Sequence, residues 1–159
     1  VGSEMCIRDS VRVAALAVFS IFALAAPLLP ADAHKGATGV VKQRMDAMKD
    51  MQKAMKALNA MLSGKQAMDR TAAIGLAETI RDQSGVHMAE LFPDGSLNHP
   101  SEALPKVWEN WSDFRAEADE LEREADALAR SLTDGDASAQ FKRVAASCKS
   151  CHKAYRKPK

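Results

Sequence analysis

From Val41 onward, apolar side chains recur every three, four or seven positions, the spacing that places residues on one face of an α-helix. Four such runs are separated by breaks rich in glycine, proline or aspartate. The first predicts a helix from about Thr38 to Leu62, with Val41, Met45, Met48, Met55, Leu58 and Leu62 on one face. Ser63-Gly64 ends it, Gly64 serving as a C-terminal cap. The second predicts a helix from about Asp69 to Leu91. Asp69 is its N-cap, and Ala73, Ala77, Ile80, Ser84, His87 and Leu91 form its stripe. Gly75 and Gly85 weaken that helix, and Phe92-Pro93-Asp94-Gly95 stops it and opens a loop to about Pro100. The third run is the clearest: Leu104, Trp108, Trp111, Phe114, Ala118, Leu121, Ala125, Leu128 and Leu132 step by threes and fours. Ser101 is its expected N-cap, with Pro105 in the first turn, where a missing N–H costs no helical bond; Asp134-Gly135 closes it. The fourth runs from about Asp136 to Tyr155, with Phe141, Val144, Cys148, Cys151, His152 and Tyr155 sharing a face. Four long helices joined mostly by short loops predict an all-α, antiparallel four-helix bundle.

The N-terminal segment follows a different pattern. Arg8 and Arg12 precede an uncharged apolar run from Val13 to Leu29, which is followed by the small-x-small triplet Ala31-Asp32-Ala33. A positive end, an apolar middle and a cleavage triplet are the parts of a secretory signal. At about 17 residues the run is at the short limit for a retained membrane anchor. The expected division is therefore a signal peptide over residues 1–33 and an exported domain over 34–159, with no membrane attachment after cleavage. Val1 to Ser10 has no evident role beyond its charges. An artefact at the gene start and translation from Met5 both remain open for it. Cleavage would also remove Cys6, leaving Cys148 and Cys151 as the remaining cysteine pair.

Composition supports the helical reading. Aromatic residues make up 5% of the chain and hydrophobic residues 47%, with few stretches of the β-branched and aromatic types that strands require. The formal net charge is +1, and charges of both signs are scattered along the sequence. No basic face for nucleic acid is expected.

The chemistry concentrates in Cys148-Lys149-Ser150-Cys151-His152. Cys-x-x-Cys-His is the attachment signature of c-type haem. Two thiols three residues apart lie about one helical turn apart on the same side, matching the two vinyl groups on adjacent rings of a haem. His152 follows directly and can present its imidazole to the iron. Three other readings compete with it. A thioredoxin-type redox pair calls for a βαβ setting, and a structural zinc site usually needs four ligands. A disulfide is permitted in an oxidising compartment but is geometrically awkward along a helix.

A late Cys148-x-x-Cys151-His152, followed by Tyr155-Arg156 at the end of a four-helix chain, resembles the class II c-type cytochromes, the cytochrome c′ family. Val41-Lys42-Gln43-Arg44, Phe92-Pro93-Asp94-Gly95-Ser96 and Leu104-Pro105-Lys106-Val107-Trp108 resemble further stretches of that family. The resemblance implies one covalent haem c on Cys148 and Cys151, with His152 as an axial iron ligand. In the low-spin subgroup the second axial ligand is a methionine four residues after an arginine, and here Met48 follows Arg44 at that offset. The same resemblance implies that Arg44 approaches a haem propionate, and it places Arg156 near the haem or its histidine. Trp108 and Phe141 are expected to pack near the haem plane. The competing readings are ordinary ones. Met45, Met51, Met55 and Met61 share the first helix, and methionine stripes commonly fill cores. His87 is a rival ligand. His34 and His99 are expected to be inert, and Arg44 and Arg156 could be solvated surface residues. The resulting expectation is a periplasmic monohaem cytochrome that passes single electrons between redox partner proteins. It would be a monomer or homodimer, bind no nucleic acid and perform no enzymatic turnover. The alternative is a five-coordinate relative that binds NO or CO, and a less favoured one is a haem-free helical protein with a disulfide.

Overall fold

The computed structural model describes residues 36–98 and 100–158. The expected signal segment 1–33, with Met5 and Cys6, and His34 and His99 lie outside the described residues. Six helices follow one another: α1 (Gly39–Leu62), α2 (Arg70–Asp82), α3 (Gly85–Glu90), α4 (Lys106–Glu109), α5 (Trp111–Asp134) and α6 (Ala137–Tyr155). Among the described residues there is no strand, only an isolated antiparallel bridge between Ala103 and Arg156.

Local chemistry sets most of the boundaries. Asp69 accepts a hydrogen bond from the Ala72 amide at 3.0 Å, and Asp136 accepts one from Ala139 at 2.9 Å, each satisfying a first-turn amide. At the end of α1 the Ser63 amide donates to the Asn59 carbonyl. Gly64 follows in the left-handed region (φ 74°), as expected of a glycine cap.

Two expected helices are divided. The second breaks at Gln83-Ser84. The Ser84 hydroxyl donates back to the Ile80 carbonyl at 2.6 Å, and Gly85 takes φ 57° as α3 begins. A glycine in the left-handed region ends one helix and redirects the next, an effect stronger than the weakening expected of it. The third helix starts later than expected. Ser101 does not cap it; its hydroxyl accepts from the Ala103 amide at 3.2 Å. Residues 101–104 instead run alongside the end of α6, where the Leu104 amide donates to the Tyr155 carbonyl (2.9 Å) and the Lys157 amide to that of Glu102 (2.8 Å). Pro105 precedes the short α4, and Asn110 (φ −122°, ψ 52°) separates α4 from α5.

Helices α1, α2, α5 and α6 form the four-helix bundle. Helix α2 packs broadly on α5 and α1, and α5 packs broadly on α6. The α5 stripe is buried along its length, through Phe114, Ala118, Leu121, Ala125, Leu128 and Leu132. It meets Leu58, Ile80 and Val144, which are fully buried on the other three helices. Trp111, expected on that stripe, is 36% exposed at its start. The α1–α6 pair touches only lightly, and that opening positions the site.

Candidate functional site

A cavity of about 610 Å³ lies between α1 and α6, within the roughly 300–1,000 Å³ typical of cofactor pockets. From α1 it receives Arg44, Met45, Met48, Met51 and Met55; from α6 it receives Cys148, Cys151, His152 and Tyr155. Met88, Phe92, Val107 and Phe114 contribute to its apolar lining. A larger furrow of about 810 Å³ runs between α5 and α6, lined mainly by charged side chains such as Glu117, Glu120, Arg123 and Arg143. It is open to solvent and presents no cysteine, histidine or methionine.

The motif sits on the last turns of α6. Cys148 and Cys151 are half-buried and line the cavity, while Lys149 and Ser150 are exposed. Ser150 donates to Glu117 at 2.8 Å, tying this turn to α5. The motif was expected on the buried side of its helix. The structure corrects that for His152, which is exposed although it lines the cavity. The reason is the light contact between α1 and α6: this face of α6 looks into a cleft and not into packed core.

Both thiols are free. Burial pushes Cys148 above the usual thiol range. Burial, then the charges of Glu117 and Cys148, pushes Cys151 up to about 12. Such groups stay protonated near neutral pH and make poor thiolate nucleophiles. Among the described residues, no group of three or more Cys, His, Asp or Glu side chains is arranged to hold a metal ion. Both observations weigh against the thioredoxin and zinc readings. A macrocycle fits the donor set better, with two thiols one helical turn apart, an adjoining imidazole and a thioether-rich wall across an apolar cavity.

Met48 is half-buried and shares the cavity with the motif, as the sequence pattern expects. Met45 and Met55 lie on the same wall. Met51 is buried deeper, its sulfur 4.0 Å from the Ser84 hydroxyl. His87 is exposed on α3 and does not line the cavity, which removes it as a rival ligand.

Arg44 is 4% exposed, so it is not a solvated surface arginine. Its guanidinium lies 4.7 Å from the centre of the Phe92 ring. It donates to the Ser96 hydroxyl at 3.2 Å, to the Ser96 carbonyl, and to the Leu91 carbonyl at 3.5 Å. Burial lowers its pKa from the usual arginine value, yet a guanidinium remains charged. The side chain therefore holds the 91–96 loop against α1 while also lining the cavity.

Arg156 is paired with Glu102, its Nε 2.7 Å from the carboxylate, and both residues lie on the cavity edge. Trp108 and Phe141 were expected at the cofactor plane, but neither lines the cavity. Trp108 donates its ring N–H to the carbonyls of Phe92 (3.0 Å) and Pro93 (3.2 Å), and Phe141 packs against the core. Phe92 and Phe114 take the aromatic positions instead, their centroids 4.8 Å apart with edge-to-face geometry. The sequence offered a faint signal for Phe92, an aromatic residue at the close of a helix before Pro93-Asp94-Gly95.

Comparison with known proteins agrees with this geometry. The family described as Cytochrome C′ matches residues 39–156. A cytochrome c-556 from Agrobacterium fabrum is 35% identical over 122 residues, covering 76% of this chain and 82% of that protein. The structure of cytochrome c′ from Rhodopseudomonas palustris superimposes with a TM-score of 0.67 at 32% identity, covering 77% of this chain and 99% of that one. The nitric oxide complex of a mutant cytochrome c prime from Alcaligenes xylosoxidans gives a TM-score of 0.67 at 27% identity, over 76% and 94% of the two chains.

Proposed function

We propose that this chain, which belongs to the cytochrome c′ family, is a low-spin, electron-carrying member of it. As a member it carries one covalently attached haem c. In this reading the thiols of Cys148 and Cys151 would form the two thioethers, and the His152 imidazole and the Met48 sulfur would hold the iron. When bound, the group supplies an iron that takes up and gives back a single electron.

One observation carries the reading: Met48, four residues after Arg44, lines the same cavity as Cys148, Cys151 and His152. A thioether opposite an imidazole raises the reduction potential and suits electron transfer. The chain's own residues supply the rest. Met45, Met55, Phe92 and Phe114 give the cavity an apolar lining that limits water, and the Glu102–Arg156 pair closes its edge. Among the described residues that line the cavity, Glu102 is the only carboxylate, and it is engaged by Arg156. The reading is that of an electron carrier and includes no enzymatic turnover. Export follows from the charged, apolar and small-x-small order of residues 1–33. The periplasm is the proposed location, with redox proteins as partners.

A second reading, an open iron that binds a diatomic gas, is favoured by the likeness to a cytochrome c prime solved with nitric oxide. Absorption spectra of the matured protein, oxidised and reduced, separate the two. Sharp low-spin bands that become high-spin in Met48→Ala support methionine ligation. A high-spin wild type removes Met48 from the iron and moves the function to gas binding.

A further inference from the structure

Charges that look scattered along the sequence are sorted by the fold. From Ala137 to the end of the sequence there is no aspartate or glutamate, while Lys142, Arg143, Lys149, Lys153, Arg156 and Lys157 all fall there. Helix α5 has the opposite bias, with Asp113, Glu117, Asp119, Glu120, Glu122, Glu124, Asp126 and Asp134 against Arg115, Arg123 and Arg130.

The placement of the lysines is more specific than the count. On α1, Lys42, Lys49 and Lys53 follow one another at intervals of seven and four. On α6, Lys142, Lys149 and Lys153 repeat the same intervals. Those spacings put each set on one helix face, and all six residues are exposed. Each row runs along the flank of its helix's cavity-facing stripe. Lys49 follows Met48 and itself lines the cavity, Lys149 follows Cys148, and Lys153 follows His152. Helices α1 and α6 are the lightly touching pair with the cavity between them, so the two rows border one opening. Lys42 and Lys53 are paired with Asp46 and Asp50 on their own helix. Lys49, Lys142, Lys149 and Lys153 form no ion pair with any described residue, which leaves a net positive rim.

We propose that this lysine-edged opening is a docking surface for an acidic face on a redox partner protein. The proposal rests on the electron-transfer reading of the same site and adds the chemistry of the partner. A carboxylate-rich surface would be steered to the rim and would meet the protein where His152 is exposed. The excess of carboxylates on α5 turns the molecule in the same sense, because the summed field orients an approaching partner before contact. Neither lysine row offers the hydrogen-bonding pocket of a small-anion site, so a broad, weakly held, salt-sensitive contact is expected.

The test uses the haem-loaded protein, the rim variant Lys53→Glu/Lys142→Glu/Lys153→Glu, and a control of equal charge change, Lys65→Glu/Arg123→Glu/Arg130→Glu. Absorption spectra confirm that each retains its haem environment. Binding of a labelled deca-aspartate peptide is measured at low salt, as are oxidation rates of the ferrous protein. In the latter, one electron passes to ferricyanide, giving ferrocyanide, or to a cationic cobalt(III) complex, giving cobalt(II). The rim variant should bind the peptide and react with ferricyanide roughly tenfold less well than wild type, at the low end of known steering effects. It should react faster with the cationic oxidant, and the control should stay within about threefold of wild type. Equal behaviour of rim and control variants overturns the proposal. So does a wild type that binds anionic phospholipid vesicles but not the peptide, since the surface would then face lipid. Sluggish exchange with both oxidants, with rim-dependent peptide binding intact, would refute the electron-transfer reading and spare the surface.

Discussion

The Arg44 guanidinium lies 4.7 Å from the centre of the Phe92 ring and reaches past it to the Ser96 hydroxyl, 3.2 Å away. One buried charge thus joins α1 to the loop that forms part of the cavity wall. Arg44→Gln should destabilise the protein by about 2–3 kcal/mol, since hydrogen bonds made by a charged donor are lost and buried acceptors are left unsatisfied. Ser96→Ala removes one acceptor and keeps the carbonyl, so a loss of about 1 kcal/mol is expected. Urea unfolding monitored by circular dichroism measures both. An Arg44→Gln midpoint indistinguishable from wild type would mean that the guanidinium does not hold the loop.

The two thiols make separable contributions to attachment. Cys148→Ala and Cys151→Ala should each leave one thioether, so haem should remain with the chain on a denaturing gel stained for peroxidase activity. The double variant should lose the stain entirely. Retention of stain in the double variant would show that attachment does not run through these positions.

Much of the fold is visible in the sequence because its stripes are long and regular. The α5 stripe from Phe114 to Leu132 is buried as its spacing requires, and the aspartate cap at Asp69 forms as its position suggests. The cysteine–histidine motif is legible from its own spacing, whereas Met48 stands out from Met45, Met51, Met55 and Met61 on the same helix only through the resemblance that pairs it with Arg44. What the sequence concealed depends on contacts far apart along the chain. Ser101 looked like a helix cap, but residues 101–104 pair with the end of α6 through Leu104 and Tyr155. Trp108 looked like a cofactor neighbour, but its ring N–H is committed to the Phe92 and Pro93 carbonyls. The lysine rows are hidden in the sequence for another reason. Each is ordinary on its own helix and becomes a rim only when α1 and α6 face each other.

Glycine substitutions separate backbone constraint from helix propensity. Gly85 has φ 57°, and a Cβ added there would fall 1.9 Å from a Glu122 carboxylate oxygen. The carboxylate can swing away, but the left-handed backbone cannot be relieved so easily, and it costs an L-residue about 1–2 kcal/mol. Gly75 lies within α2 with nothing within 4 Å of an added Cβ. Gly75→Ala should therefore stabilise by about 0.5–1 kcal/mol, while Gly85→Ala should destabilise by at least about 1 kcal/mol. Chemical denaturation of the two variants side by side tests the opposite signs; if both stabilise, residues 82–86 are not held as described.

The raised pKa of Cys151 gives a pH dependence that distinguishes the haem-free chain from the haem-loaded one. In the unfolded chain this thiol loses its proton near pH 8.5, whereas in the folded haem-free chain it does so at about 12. Between those values the unfolded state binds fewer protons, so Cys151 makes stability fall as pH rises through that window and level off above it. Below the unfolded value both states are protonated and the group contributes no slope. Cys148, also raised by burial, acts in the same direction. A thioether has no proton to lose, so the thiol contribution to the slope should vanish once haem is attached. Urea midpoints at pH 7.5, 9 and 10.5 for the haem-free chain, its Cys151→Ala variant and the haem-loaded protein measure the difference. Iodoacetamide labelling of the haem-free chain adds an independent reading. Its rate at Cys151 should climb about tenfold per pH unit beyond pH 9, because only the thiolate reacts. A rate that flattens between about pH 9 and 10, as for an exposed thiol, would show that Cys151 does not occupy the wall of the cavity.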